Sequence, residues 1–341
     1  MAQKAVEPNP FLDPDFVLPA ARGLGEWEDV GIIRILAGNE WIACLPVCRY
    51  SRWHKLPLPS VATWLHRYCL LGTPLVAPGY ELEAMEALVA TLRQVEGAAL
   101  ASLEWTSAEG SLADALKEAS PANAIVFDRF SRPTLARKPN GDYLADVKGK
   151  HRREFKRLAR GLEAELDGPL DLIDRTGEPE AIETFLELEA SGWKGQQGTA
   201  LASDPAHAEF LRETARSFEK RRALELLFLE VAGRPVAVRC SFLSSGVNFC
   251  FKVSYDERFR RFSPGRELEL RLVDRFHVDE SLNWMDSCAN RDNELFSRLW
   301  PEQRELFTIA LPASQPLGKL TRSTLRAAIA LRERQRKRRR T

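Results

Sequence analysis

No run in the chain approaches the roughly 18–20 consecutive apolar residues that cross a bilayer, and the first thirty residues hold no continuous hydrophobic signal core. Both absences point to a cytoplasmic protein. No Cys-x-x-Cys pair is present either. Of the six cysteines, Cys44 and Cys48 are the nearest two and lie in an apolar strand-like run, while Cys240 and Cys250 fall within expected strands, where a thiol acts as a small hydrophobe. The five histidines, at positions 54, 66, 151, 207 and 277, show no ligand spacing. A metal centre is therefore not expected.

What remains is the composition of a soluble globular protein, 44% hydrophobic and 28% charged over 341 residues, long enough for two domains or one large one. The net charge of +1 is unevenly distributed. Residues 319–341 hold ten Lys/Arg against the single acid Glu333, which leaves a net −8 on the rest of the chain. An acidic body argues against a broad nucleic-acid surface. The basic tail reads as a solubilising disordered end, or as a contact for RNA, anionic lipid or an acidic partner such as a membrane-bound synthase.

Periodicity organises the chain into two mixed α/β halves. Residues 1–130 read as a helix over Pro10–Gly25, a hairpin of Ile32–Leu36 and Trp41–Val47 around Gly38-Asn39, an amphipathic helix over Glu81–Val95, and strands over Ala99–Trp105 and Ala124–Phe127. Pro133, Pro139 and Asn140-Gly141 break the pattern, so 131–147 is read as a linker. The second half, 148–315, opens on a basic helix carrying Lys148, Lys150, Arg152, Arg153, Lys156, Arg157 and Arg160 around an apolar stripe of Phe155, Leu158 and Leu162. Helices over Glu178–Ser191 and Pro205–Lys220 follow. A meander of strands Leu224–Val231, Val236–Leu243 and Val247–Tyr255 comes next, then a helix over Pro264–His277 and a strand over Leu282–Asp286. Residues 316–341 form the basic C-terminal segment.

The connection between the third meander strand and the Pro264 helix carries the sharpest chemical signal. It reads Asp256-Glu257-Arg258-Phe259-Arg260-Arg261-Phe262-Ser263-Pro264-Gly265, with Arg266 after it. A helix N-terminus offers unpaired N–H groups and the positive end of the macrodipole to an anion. The loop has neither the Gly-Lys-Ser/Thr of a Walker motif nor Gly-x-Gly-x-x-Gly. A pyrophosphate held beside a strand edge fits it, and so does an ordinary strand-to-helix turn with solvated arginines. Asp286, at a strand end, is read either as a base or as a cap of the following turn. Alternation leaves Arg239 open between solvent and a cleft, and Trp193-Lys194 reads as a lid or as an edge plug.

With these elements in this order, the chain resembles the GCN5-related N-acetyltransferase (GNAT) superfamily, more closely its bacterial BioF2-like, CelD-type branch. The residues carrying the resemblance span 149–311: a Lys-His-Arg-Arg-x-Phe-Lys-Arg-Leu-x-Arg opening, Gly192-Trp193-Lys194-Gly195, Gly198-Thr199-Ala200-Leu201, Tyr255-Asp256, Ser263-Pro264-Gly265 and Asp286. The first half, with Asn9-Pro10-Phe11 and Gly72-Thr73-Pro74-Leu75, also looks like that branch, in which two related halves pack as in the FemABX peptidyltransferases. The resemblance implies an α+β fold of two GNAT-like halves, each a mostly antiparallel sheet with packed helices. It implies an acyltransferase that takes acetyl-CoA or another acyl-CoA as donor. Pantetheine would pair with the Val253 and Tyr255 edge, and the diphosphate would meet Arg258, Arg260, Arg261, Ser263, Gly265 and Arg266. Asp286 would act as base, with Trp193, Lys194 and Arg239 on the acceptor side. The acceptor would be an amine or hydroxyl of a polysaccharide precursor, lipid or small metabolite, placing the protein in the cytoplasm or peripherally at the inner membrane. Two alternatives follow from the same resemblance: a transferase using aminoacyl-tRNA, with the basic helix and tail as RNA contacts, and a non-catalytic partner of an envelope polysaccharide synthase.

Overall fold

The structure is a computed structural model that describes residues 1–25, 29–137, 149–290, 294–297, 299–314 and 325. The expected linker beyond Arg137 and, apart from Leu325, the basic C-terminal segment 316–341 lie outside those residues. The chain divides into two compact units: residues 1–17, 26–131 and 304–341 in the first, and 18–25 with 132–303 in the second.

The first unit begins with a short 3-10 turn, Pro10–Leu12, capped by the Asn9 side chain accepting from the Phe11 N–H. Its elements then run α1 (Pro14–Gly23, shared with the second unit), β1 (Val30–Ala37), β2 (Glu40–Tyr50), β3 (Ser60–Thr63), β4 (Leu75–Val76), α2 (Glu81–Arg93), β5 (Leu100–Ser107), α3 (Ser111–Ala119) and β6 (Ile125–Ala136, whose residues from Arg132 onward belong to the second unit). The β1–β2 hairpin forms around Gly38-Asn39 as its sequence dictates, Gly38 taking φ +59. In α2 the residues Ala84, Met85, Leu88, Val89 and Leu92 are buried, which is the expected three- and four-residue stripe.

The second unit carries α4 (Gly149–Leu166), β7 (Leu170–Asp174), α5 (Ala181–Ser191), α6 (Trp193–Gln196), α7 (Pro205–Lys220), β8 (Leu224–Val231), β9 (Arg234–Ser244), β10 (Val247–Tyr255), α8 (Pro264–Val278), β11 (Trp284–Asp286) and α9 (Glu294–Ser297). The chain then returns to the first unit, where β12 (Glu302–Pro312) pairs antiparallel with β5. In the second unit β7, β8, β9 and β10 form an antiparallel run. Next to it β11 lies parallel to β10, and its other side pairs with Thr134–Ala136 of β6.

Strand alternation assigns the two faces of this sheet. Phe242 of β9 meets Phe218 of α7 at 4.7 Å between ring centroids, whereas Arg239 points the other way, to Glu269 of α8. One apolar cluster joins Leu227, Cys250, Leu270, Leu272, Val273, Phe276, Met285 and Trp300, and a second joins Leu162, Leu229, Ala237, Phe259 and Leu268. Helices α4 and α8 therefore cover one face, and α5 and α7 the other.

A β-bulge interrupts this alternation in β10. Cys250 pairs with Ser241, but Lys252 pairs with Cys240, so Phe251 is the extra residue. The simple alternation of Phe249, Phe251, Val253 and Tyr255 read from the sequence is corrected accordingly. Phe249 and Phe251 belong to the α7 face, whereas Val253 and Tyr255, opposite Arg239 and Ala237, belong to the α8 face. A one-residue insertion exchanges the faces of everything beyond it, and so turns Lys252 toward α5.

Candidate functional site

The bulge lies where β10 loses a neighbour. β11 pairs only with Val247, Asn248 and Phe249 and then ends at Asp286, while β10 continues to Tyr255. From Cys250 onward the outer edge of β10 has no strand partner among the described residues. Such an edge is a template for an extended ligand, because its N–H and C=O groups point outward at strand spacing.

On the α5 face, the edge adjoins a notch of about 40 Å³ lined by Leu188, Gly192, Trp193, Lys194, Ser254 and Glu257, among others. Gly195 explains why this turn carries a glycine: a Cβ there would lie 1.8 Å from the Ala190 carbonyl oxygen, so only glycine lets α6 fold back on α5. The fold-back leaves Trp193 50% exposed at the mouth. It also brings the Lys194 Nζ to 3.4 Å from Oε1 of Glu189, while Lys252 Nζ reaches the same oxygen at 2.7 Å and the Leu201 N–H donates to Oε2 at 2.8 Å. Burial works to raise the Glu189 pKa, but the two ammonium groups and the donated hydrogen bonds outweigh it and hold the carboxyl below its ordinary value.

Two further polar groups line the notch. Ser254 is buried with its hydroxyl unpartnered. Glu257 accepts a hydrogen bond from the Tyr255 phenol, whose pKa is raised by burial and then by the Glu257 charge, so the phenol stays protonated at neutral pH. Sequence reasoning singled out Trp193 and Lys194 but missed Glu189, Lys252, Ser254 and Glu257. Nothing local marks them, because the bulge alone sets which way residues 252 and 254 face.

The expected anion cradle looks different from its sequence. Ser263 sits in the left-handed region at φ 54, and Pro264 and Gly265 at the start of α8 are buried, Gly265 lying against Val253 and Tyr255. The Ser263 carbonyl already accepts from the Arg266 and Glu267 N–H groups. Arg258 is engaged by Asp256, with Nε 2.9 Å from Oδ1, and Arg261 by Glu165 at 2.5 Å. Arg266 stacks over Phe155 at 5.6 Å from the ring centroid. Arg260 alone of the four has neither an ion pair nor a ring contact among the described residues. Glu267, in the first turn, adds a carboxyl whose pKa burial raises, with Arg271 working against that shift.

Two other sequence candidates are internal. Arg239 reaches neither solvent nor a cleft: its side chain is fully buried, with Nε 3.2 Å from Glu269 and Nη1 3.5 Å from Glu225. One guanidinium between two buried carboxyls leaves a negative excess, and burial pushes Glu269 up to about 7, with Arg239 opposing and Glu225 assisting. Asp286 is likewise fully buried. Its Oδ2 accepts from Arg132 Nη2 at 2.7 Å and its Oδ1 from the Cys288 N–H at 2.8 Å, which is the turn-capping geometry.

Among the described residues no group of His, Cys, Asp and Glu is placed to hold a metal, and no helix is long and apolar enough to cross a membrane.

Residues 149–295 match the family model described as an acetyltransferase (GNAT) domain. Among solved structures, FemX aligns with 94% of this chain and 96% of its own at 11% identity and a TM-score of 0.60. The C-terminal domain of a putative lysylphosphatidylglycerol synthetase from Agrobacterium fabrum aligns over 91% of this chain and 94% of its own, at 11% identity and a TM-score of 0.54. L-PGS from Bacillus licheniformis covers 96% of this chain and 99% of its own, at 10% identity and the same score of 0.54. A comparison with curated proteins finds no match. The chain thus shares the fold of these structures, with mixed α/β units built on mainly antiparallel strands, and the stretch that matches the GNAT domain model lies in its second unit.

Proposed function

We propose that the chain moves an acyl group directly from a coenzyme A thioester, acetyl-CoA or a longer acyl-CoA, to an amine or hydroxyl acceptor. The observation that carries this reading is the open outer edge of β10 beyond Phe249, which suits the two amides of pantetheine as an added strand. The acceptor end enters the notch beside Trp193. At about 40 Å³ the notch admits a reacting amino or hydroxymethyl group and little more, so any sugar or lipid body stays outside, against the exposed Trp193 ring.

Acyl transfer needs a deprotonated nucleophile and a proton for the departing thiolate. The acceptor nitrogen or oxygen attacks the thioester carbon, the C–S bond breaks, and the proton lost by the acceptor is returned to sulfur. Glu257 is the carboxylate of the notch without an ion-pair partner among the described residues, and we assign it the proton. Asp286 is given a positioning role at the end of β11, because its two oxygens are engaged by Arg132 and the Cys288 N–H.

The test is a thermal-shift series with acyl-CoAs of increasing chain length. A ligand that binds only the folded protein stabilises it by about 2.7 kcal/mol at a hundredfold excess over Kd. No shift with any acyl-CoA would sink the donor assignment. A second reading, with aminoacyl-tRNA as donor, is favoured by one observation: Arg152, Arg153, Lys156, Arg157 and Arg160 of α4 have no ion-pair partner among the described residues. In that case tRNA retention weakens steeply with salt as counterions are released. Retention that is absent or insensitive to salt removes it.

A further inference from the structure

We propose that the groove between α4 and α8 is a binding site for an adenosine carrying phosphate, the chemistry shared by the distal end of coenzyme A and the 3′ end of a tRNA. This inference rests on the acyltransferase reading only for the identity of the donor. The groove encloses about 540 Å³, within the range of small-molecule sites. Its floor is apolar, made by Phe155, Ala159 and Leu270, and suits a planar base. Along one wall Arg152, Lys156 and Arg160 recur every four residues on one face of α4, all three exposed.

The placement of charge on α4 runs against what the helix itself favours. Its first turn holds no acid and its last turn no base. Arg152, Arg153, Lys156 and Arg157 crowd the half nearest the positive end of the macrodipole, while Glu163 and Glu165 lie near the negative end. Like charges one turn apart also repel. The acids lining the groove do not relieve this: Glu267 of α8 is paired with Arg271 of its own helix at 2.9 Å, and among the described residues neither Asp274 of α8 nor Glu163 of α4 forms an ion pair with the α4 cations. A solvated helix face requires no such arrangement, whereas phosphate bound beside Arg152, Lys156 and Arg160 removes the repulsion and gains the dipole. The cradle expected at the start of α8 does not supply this, since Pro264 and Gly265 are buried and Arg258 and Arg261 are already paired.

The experiment titrates the full chain with adenosine 3′,5′-bisphosphate as the minimal probe, with coenzyme A and with deacylated tRNA, by calorimetry. It compares wild type with the triple variant Arg152→Ala/Lys156→Ala/Arg160→Ala. All three side chains are exposed, and an unchanged thermal melt verifies that the variant folds. The expected result is bisphosphate binding weakened at least tenfold in the variant. Coenzyme A weakened in parallel identifies a thioester donor. If tRNA weakens instead, with its salt slope smaller by about 2 for three lost single-strand phosphate contacts, the donor is an RNA. Failure of the bisphosphate to bind wild type, or equal binding to both proteins, overturns the inference. An unchanged rate and donor KM in the triple variant overturns the groove as the donor's site and leaves the acyltransferase reading standing. If wild type instead transfers no acyl group from any donor yet binds the bisphosphate through these side chains, the groove stands and the enzymatic reading falls.

Discussion

Asp286→Ala separates a structural carboxylate from a catalytic one. In the native protein Asp286 and Arg132 are 0% and 1% exposed and 2.7 Å apart. Deleting the carboxylate leaves a guanidinium charge in a site from which water is excluded, a change that costs about 3–5 kcal/mol. The lost hydrogen bond from the Cys288 N–H adds about 1 kcal/mol. For a cooperative unit of this size each kcal/mol lowers Tm by about 2–4 °C, so a fall on the order of 10–20 °C is expected. Replacing the pair together, Arg132→Met with Asp286→Leu, removes the buried guanidinium along with its carboxylate and restores most of the loss. The assay is urea denaturation followed by circular dichroism, with acyl transfer measured on the fraction that remains folded. A single variant within about 1 kcal/mol of wild type would refute the buried-pair argument. If that same variant had also lost transfer, Asp286 would be the base.

Three further outcomes follow from other buried groups. Glu269 titrates near 7 in the folded protein against 4.5 when free, so between those values the folded state keeps a proton that the unfolded state has released. Its contribution to stability is complete below pH 4.5 and declines on the order of 3 kcal/mol as pH rises through 7; Glu269→Gln should flatten that slope in denaturation curves taken from pH 4.5 to 8. For Glu189 the sign is opposite, because its folded pKa is lowered: stability is present above the free-carboxylate value and lost as pH falls. Lys252→Met should cost about 2 kcal/mol at neutral pH, less than a fully orphaned charge because Lys194 and the Leu201 N–H remain, and should shrink that acid dependence. Gly195→Ala forces a Cβ onto the Ala190 carbonyl and should destabilise by at least about 1–3 kcal/mol while increasing the mobility of the Trp193 ring, read from its fluorescence anisotropy.

Where periodicity is strong, element and boundary could be read directly. Strands Leu224–Val231 and Val247–Tyr255 begin and end as the apolar pattern indicates, and α2 starts at Glu81 and stops within two residues of the expected end. Short or weakly patterned elements were not recognised. Leu170–Asp174 carries only one buried side chain, and the small helix Ser111–Ala119 follows a positive-φ glycine rather than a side-chain cap. The helix read over Pro10–Gly25 is in fact a 3-10 turn followed by an α-helix, because the Asp13 side chain accepts from the Asp15 N–H and the helix restarts at Pro14.

Side-chain chemistry was legible only as a set of residue types. The arginines after Tyr255 and the glycines around Trp193 could be identified as chemically important by position, since a strand edge feeding a helix start is a local arrangement. Which of those arginines is available was decided elsewhere in the chain: Arg261 is paired with Glu165, 96 residues away, and Asp286 with Arg132, 154 residues away. Whether Lys252 faces α5 or α8 depends on one bulged residue that no hydrophobic period reveals. The amino-acid order alone determined the elements and the α+β class, because hydrophobic period and turn residues act over a few neighbours. Tertiary structure decided which charges are neutralised and which remain free along α4, because burial and ion pairing are properties of the partners brought alongside, and those partners lie far away in sequence.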